Sequence, residues 1–327
     1  MKFQELDIIA PILRAVEEKG YEEPTPIQQE AIPVVIAGKD IFGIARTGTG
    51  KTAAFAIPII QQLMALREQE AVALAEREAE EVRKAEEMAA QEASQESEEE
   101  SAEPMSSENV DAVESVETSE QKAETRNQRR RRLYRERVRK RREKREKESK
   151  LPHFIRALIL TPTRELALQI SDCFSDYGKY SGLRHTAIFG GVKQKPQTDA
   201  LRKGVDILIA TPGRLLDLMG QGAVKLDNLT TFVLDEADRM LDMGFYNDIM
   251  TIAGKLPKER QTMLFSATMP QEIRNLAKNI LTDPVQITLS LAKPAEKIKQ
   301  QSFICYEPQK AGIIKSLFAD EAPERVI

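Results

Sequence analysis

Cysteine, histidine and long apolar runs are all scarce in this chain. Cys173 and Cys305 are far apart and sit in apolar contexts, so they read as buried free thiols of a reducing cytosol rather than a disulfide framework. With only His153 and His185 beside them, no zinc site has credible ligand spacing. No apolar run approaches the ~20 residues that span a bilayer. The start, Met1-Lys2-Phe3-Gln4-Glu5, lacks an apolar signal region. A cytoplasmic protein without membrane contact is expected. An excess of charge of one sign is missing too. The 48 Lys and Arg nearly balance the 52 Asp and Glu. Residues 67–150 carry 24 of those acids and 20 of those bases, which leaves 28 of each elsewhere. Net charge therefore gives no argument for nucleic acid; only its distribution can.

What is present is a repeated pattern. Short β-rich apolar runs occur at Asp40–Ala45, Arg156–Thr161, Thr186–Phe189, Asp206–Ala210, Thr231–Leu234 and Thr262–Phe265. Amphipathic helical stretches follow most of them, at Lys51–Met64, Arg164–Tyr177, Pro196–Arg202, Phe245–Leu256 and Pro270–Leu281. Strands alternating with helices imply an α/β fold with a parallel sheet flanked by helices, and such sheets bind ligands at the carboxyl ends of their strands. Pro58 is expected to kink or break the helix that holds it.

Residues 67–150 interrupt the pattern. A connection of that length without its own core reads as a surface insertion. Arg67–Ala93 favours a charged helix continuing from Leu63. Ser94–Glu124 has the composition of disorder. Arg126–Lys150 has 15 Lys or Arg against four Glu and reads as a basic helix or arm. It is either an auxiliary nucleic-acid contact or a solvated charged helix folded back on the acidic segment.

Two motifs carry the chemistry. Residues 45–52 read Ala45-Arg46-Thr47-Gly48-Thr49-Gly50-Lys51-Thr52, a phosphate-loop pattern with Ala45 in place of the first Gly. Gly48 and Gly50 let successive N–H groups point at phosphates, and the following helix N-terminus adds its dipole. Lys51 is the candidate for the β- and γ-phosphates, and the Thr52 hydroxyl for magnesium. The second motif, Asp235-Glu236-Ala237-Asp238, ends the apolar run Thr231–Leu234. Asp235 is the candidate to hold magnesium, directly or through water. Glu236 is the candidate base or water-positioner. The two motifs predict binding and hydrolysis of ATP or GTP with Mg2+.

Further motifs follow in order: Gly20-Tyr21-Glu22-Glu23-Pro24-Thr25-Pro26-Ile27-Gln28, Pro162-Thr163-Arg164-Glu165-Leu166-Ala167, Gly190-Gly191, Thr211-Pro212-Gly213-Arg214 and Ser266-Ala267-Thr268. With the phosphate loop and the acidic motif, this series resembles the DEAD-box ATP-dependent RNA helicases. Residues 239–245 look like the bacterial RhlE-type branch. The resemblance covers residues 1–66 and 151–327. It implies a RecA-like domain formed by residues 1–66 and 151–288, interrupted by the charged insertion at 67–150. It also implies that Gln28 reads adenine through its amide, that Tyr21 stacks on the base with Phe3 behind it, and that the nucleotide is ATP. Arg164, Gly190, Gly191, Thr211, Gly213 and Arg214 match the family's sequence-independent contacts to the RNA backbone. Ser266 and Thr268 match residues that bond to Asp238 and couple the two sites. The bland alternative is that both hydroxyls cap the helix near Pro270.

The last residues, Glu324-Arg325-Val326-Ile327, fall where the family's second RecA-like domain begins. Residues 289–327 are therefore expected to be a linker and the start of that domain. A monomer that binds ATP, hydrolyses it slowly and does not unwind is expected. An ATP-switched RNA-binding regulator and a DNA-directed helicase are the rival readings.

Overall fold

The computed structural model describes residues 1–99, 153–289 and 302–318. The chain forms two compact units, Met1–Leu289 and Ser290–Ile327. In the second, a 3-10 turn at Glu307–Gln309 leads into a helix at Lys310–Leu317.

The first unit is built on a seven-stranded sheet: β1 (Ile41–Ile44), β2 (Ala157–Leu160), β3 (His185–Ile188), β4 (Ile207–Ala210), β5 (Thr231–Leu234), β6 (Gln261–Ser266) and β7 (Val285–Thr288). Its order is β3-β4-β2-β5-β6-β1-β7, and every pairing is parallel. The five inner strands are buried along their whole length, while β3 and β7 are only partly so. That is the pattern of a parallel sheet covered on both faces, with its more polar strands at the edges.

Alternation along each strand divides the core into two layers. Ala157 and Ile159 of β2, Ile207 and Ile209 of β4 and Val233 of β5 face one layer. It is closed by the opening 3-10 turn and by α1 (Ala10–Glu18), α2 (Pro26–Ile36), α3 (Lys51–Glu99) and α4 (Arg164–Tyr177). Leu158, Leu160, Leu208, Phe232 and Leu234 face the other. That layer lies under α6 (Pro212–Gly220), α7 (Ala237–Asp242), α8 (Tyr246–Ala253) and α9 (Gln271–Ile280). Helix α5 (Lys195–Arg202) lies beside β3 at the sheet edge. Gly43 in β1 makes room for a neighbour: a Cβ there would lie 2.6 Å from the Phe265 ring.

Two local expectations are corrected in part. Helix α3 runs through Pro58 without a break. The proline sits in the continuously buried stretch from Ala53 to Ile60, and that burial offsets the one intrahelical hydrogen bond it removes. The same helix continues to Glu99, so Ser94–Glu99 is helical where its composition suggested disorder. The remainder of the acidic segment and the basic 126–150 segment lie outside the described residues. No helix among the described residues is long and apolar enough to cross a membrane.

Arg67, which opens the insertion, and His153, which follows it, meet at the amino-terminal rim of the sheet. Asp206, just before β4, is buried at 4% exposure. It accepts hydrogen bonds from Arg67 Nη1 at 3.1 Å, His153 Nδ1 at 2.9 Å and the Arg184 backbone N–H at 2.7 Å. Arg156 pairs with Glu70 alongside. Replacing one carboxylate would leave three donors without their acceptor. Asp206→Ala is expected to lower stability to urea by about 3 kcal/mol. An unchanged midpoint would show that the cluster holds nothing together.

Candidate nucleotide site and nucleic-acid groove

Every motif except Gly20–Gln28, which precedes β1, sits at the carboxyl end of a strand, and all seven strands point the same way. The phosphate loop follows β1, and the Asp-Glu-Ala-Asp segment follows β5. Between them lies β6, which pairs with both and ends at Ser266.

In the loop, Gly48 and Gly50 take positive φ of 80° and 90°, conformations that other residues adopt at a cost. A Cβ on Gly50 would also lie 2.4 Å from Gln28 Nε2. Lys51 is buried, and its ammonium donates to the Ala45 carbonyl at 3.0 Å. Thr49 Oγ1 donates to the Arg46 carbonyl at 2.8 Å. Both contacts hold the loop's shape. Gln28 is buried in α2; its Oε1 accepts from Thr25 N at 3.0 Å and its Nε2 donates to Gly50 O at 3.1 Å. Its amide thus ties the segment starting at Gly20 to the phosphate loop. Tyr21 is 51% exposed, while Phe3 is buried behind it.

Asp235 is 4% exposed. Burial pushes its carboxyl up from 3.8 to about 6, against the pull of the Lys51 ammonium and with a further push from Glu236. Glu236 has φ 52° and ψ 50°, a left-handed conformation that costs a non-glycine residue roughly 1–3 kcal/mol and gathers at functional sites. Its N–H donates to Asp235 Oδ1 at 3.0 Å, and its carboxylate accepts from Arg239 Nη1 at 3.3 Å. Asp238 Oδ2 accepts from Ala267 N, Thr268 N and Thr268 Oγ1, at 3.1, 2.9 and 2.9 Å. Ser266 does not join them. Its hydroxyl donates to the Thr268 carbonyl at 2.8 Å, so it braces the turn and reaches Asp238 only indirectly. Neither hydroxyl caps α9, whose N-cap is Pro270.

A cavity of about 480 Å3 joins these parts. Phe3, Tyr21 and Gln28 line it, together with Thr47, Gly48, Gly50, Lys51 and Thr52 of the loop, and Asp235 and Glu236. Four residues of α4 that belong to no quoted role complete its wall: Leu166, Gln169, Cys173 and Tyr177. Their spacing of three and four residues reads in sequence as an ordinary core stripe.

A second cavity, of about 430 Å3, opens among the ends of β2, β3 and β4. Arg164, Gly190, Thr211, Gly213 and Arg214 line it, as do Phe189, Asp217 and Phe245. Gly191 lies beside Gly190 with φ 77°. The Arg164 guanidinium stands 5.3 Å from the Phe189 ring centroid. Arg214 donates to Gln197 Oε1 and to the Val192 carbonyl, both at 3.3 Å. Buried Gln197 in turn bonds both backbone groups of Phe189. Gln197 therefore organises the groove, and nothing in its sequence context marks it. Thr211 is the N-cap of α6 and makes no side-chain cap bond.

The DEAD/DEAH box helicase family profile matches residues 25–276. The ATP-dependent RNA helicase CshA of Limosilactobacillus reuteri is 32% identical across all of this chain and 49% of its own length. The DEAD-box ATP-dependent RNA helicase RhpA of Helicobacter pylori strain B128 is 32% identical, over 99% of this chain and 49% of its own length. The chain thus spans about half the length of these curated relatives. The crystal structure of a DEAD box protein from Methanococcus jannaschii superposes with a TM-score of 0.59 at 31% identity, covering 98% of this chain and 63% of that one. A matching profile over most of the first unit, carried on a strand order that brings its motifs to one rim, settles the assignment: the chain belongs to the DEAD/DEAH box helicase family.

Proposed function

We propose that this chain is the ATP-binding RecA-like part of an ATP-dependent RNA helicase, acting as a monomer in the cytoplasm. One observation carries the reading. The base segment, the phosphate loop and the Asp235–Glu236 pair line a single cavity, and the groove matching the RNA contacts opens at the same rim. Tyr21 stacks on the adenine, and Gln28 reads its edge with the hydrogen-bonding capacity left over from Thr25 and Gly50. The backbone of Thr47–Gly50 cradles the phosphates. Lys51 exchanges the Ala45 carbonyl for phosphate oxygens. Glu236 orients the attacking water and accepts its proton. The Asp238–Thr268 bonds link the ends of β5 and β6, so a shift at the phosphates is passed along the rim toward the groove. In that groove Arg164 and Arg214 neutralise phosphates while Gly190, Gly191, Gly213 and Thr211 let the backbone approach them, contacts that carry no base sequence.

The residues fit magnesium. Thr52 and Asp235 offer hard oxygen donors of the kind Mg2+ takes alongside substrate phosphates, and a buried carboxyl held near 6 gains from a neighbouring cation. When bound, the ion would neutralise charge on the phosphate oxygens. The RhlE-type branch rests on residues 239–245 alone. The basic 126–150 segment is proposed as an auxiliary, non-specific RNA contact, on the strength of its 15 Lys and Arg.

Fluorescent-ATP binding and turnover test the core of this reading. Lys51→Ala is expected to lose ATP binding. Glu236→Gln should keep it while turnover falls about 10²–10⁴-fold. Arg164→Ala should weaken single-stranded RNA of any sequence to a similar degree. A chain with no affinity for ATP would overturn the reading.

Asp235 gives a separate test. Its raised pKa means that the charged form destabilises the nucleotide-free fold. That penalty is absent below pH 3.8, grows as pH rises toward 6 and is complete above it. Asp235→Asn is expected to raise urea stability at pH 7, by up to about 3 kcal/mol, while magnesium-dependent nucleotide affinity drops tenfold or more. Deleting residues 126–150 should lower RNA affinity and flatten its salt dependence; identical salt curves would remove the arm.

A further inference from the structure

Gln197 lies in the first turn of α5, is buried and belongs to no motif. It faces Phe189, the buried residue just past the end of β3. An edge strand has no further strand on its outer side to take its backbone groups. The Gln197 amide supplies what a strand would. Its Oε1 accepts from the Phe189 N–H at 3.2 Å, and its Nε2 donates to the Phe189 carbonyl at 3.1 Å. A side-chain amide can do both at once because it carries the donor and acceptor of a peptide group.

The same amide is tied to both arginines of the groove, which come from different elements, Arg164 from α4 and Arg214 from α6. Arg214 is held directly. A carbonyl oxygen has a second lone pair, and Arg214 Nη1 donates to Gln197 Oε1 at 3.3 Å while its Nη2 donates to the Val192 carbonyl, also at 3.3 Å. Arg164 is held through the ring, its guanidinium standing 5.3 Å from the Phe189 ring centroid. Both bonds of Arg214 are long, and a guanidinium has N–H groups to spare. A phosphate can therefore be received without Gln197 letting go.

We propose that Gln197 is a positioning residue for nucleic-acid binding, fixing the Arg164 and Arg214 guanidiniums relative to each other so that they meet phosphates of one strand together. This rests on the reading of those arginines as RNA contacts. It places part of the groove's affinity on a side chain that touches no ligand. Phosphate spacing carries no base identity, so the effect is the same for any sequence. The residues lining the groove and those lining the nucleotide cavity do not overlap, so nucleotide binding is indifferent to Gln197.

The test uses the whole chain, a fluorescein-labelled single-stranded oligouridylate at several salt concentrations, and N-methylanthraniloyl-ATP as the control ligand. Gln197→Met keeps the length of the side chain and removes all three hydrogen bonds. It should weaken RNA about tenfold and flatten the salt dependence by about one phosphate contact, with nucleotide affinity unchanged. Gln197→Glu keeps the shape, pairs its charge with Arg214 and turns an oxygen toward the Phe189 carbonyl. It should show the same two changes, and it serves as the readout if the methionine variant fails to fold. In an Arg214→Ala background, Gln197→Met should cost much less than it does alone. Wild-type RNA affinity in both Gln197 variants, with Arg214→Ala impaired, would overturn the positioning role alone. Full additivity with Arg214→Ala would overturn it as well. Equal loss of RNA and nucleotide would make Gln197 a packing residue. Wild-type RNA affinity in both Arg164→Ala and Arg214→Ala would overturn the groove reading beneath the proposal.

Discussion

A parallel sheet buried on both faces can present its backbone and its loops to solvent only along its two rims. Here all seven strands run the same way, inner strands such as β1 and β5 are only four residues long, and helices cover both faces. The carboxyl rim then collects every strand-to-helix turn: the phosphate loop after β1, Arg164 after β2, Gly190 after β3, Thr211 after β4, Asp235 after β5 and Thr268 after β6. Segments scattered from residue 45 to residue 268 become neighbours through strand direction, without any long-range recognition between the motifs. The two cavities divide that rim between them, and α4 borders both, with Arg164 in one and Tyr177 in the other.

Within the rim, small backbone decisions matter more than the number of charges. Gly50 has to be a glycine twice over, once for its φ and once for the Gln28 amide against it. Glu236 is held left-handed between Asp235 and α7. Burial pushes the Asp235 carboxyl up to about 6. Each costs the fold some stability, and each lies where phosphate, metal or water would be received. At the other rim the carboxylates hold backbone in place: Asp40 accepts from Thr262 N and Thr282 N at 2.7 Å each, and Asp206 is ringed by donors.

Much of this was legible in the sequence, for identifiable reasons. Buried parallel strands announce themselves as unbroken apolar runs such as Leu158–Leu160 and Phe232–Leu234. The motifs carry fixed spacings. The edge strand β7 was not legible, because Val285-Gln286-Ile287-Thr288 is short and half polar. Helices α2 and α6 were hidden in stretches read as motif, and α1 fell in a stretch that carried no reading. The α4 wall of the nucleotide cavity was invisible for a deeper reason: a stripe at helical spacing looks the same whether it faces a core or a ligand. Gln197 and the cluster of Arg67, His153 and Asp206 depend on partners brought close only by the fold. Ser266 shows the limit of carrying roles over by motif, since its hydroxyl turns to the Thr268 carbonyl rather than to Asp238.

Helix α3 leaves the phosphate loop at one rim and passes Arg67 at the other, where Arg67 Nη1 lies 2.6 Å from His153 Nδ1. Eighty-odd residues thus depart from and return to a single point. The entropy of closing such an excursion grows only with the logarithm of its length, and Arg67 at its start, His153 just beyond its end and Asp206 before β4 close it. In evolutionary terms this rim is a docking port on the chassis. The length of the excursion therefore weighs little on the machinery at the opposite rim.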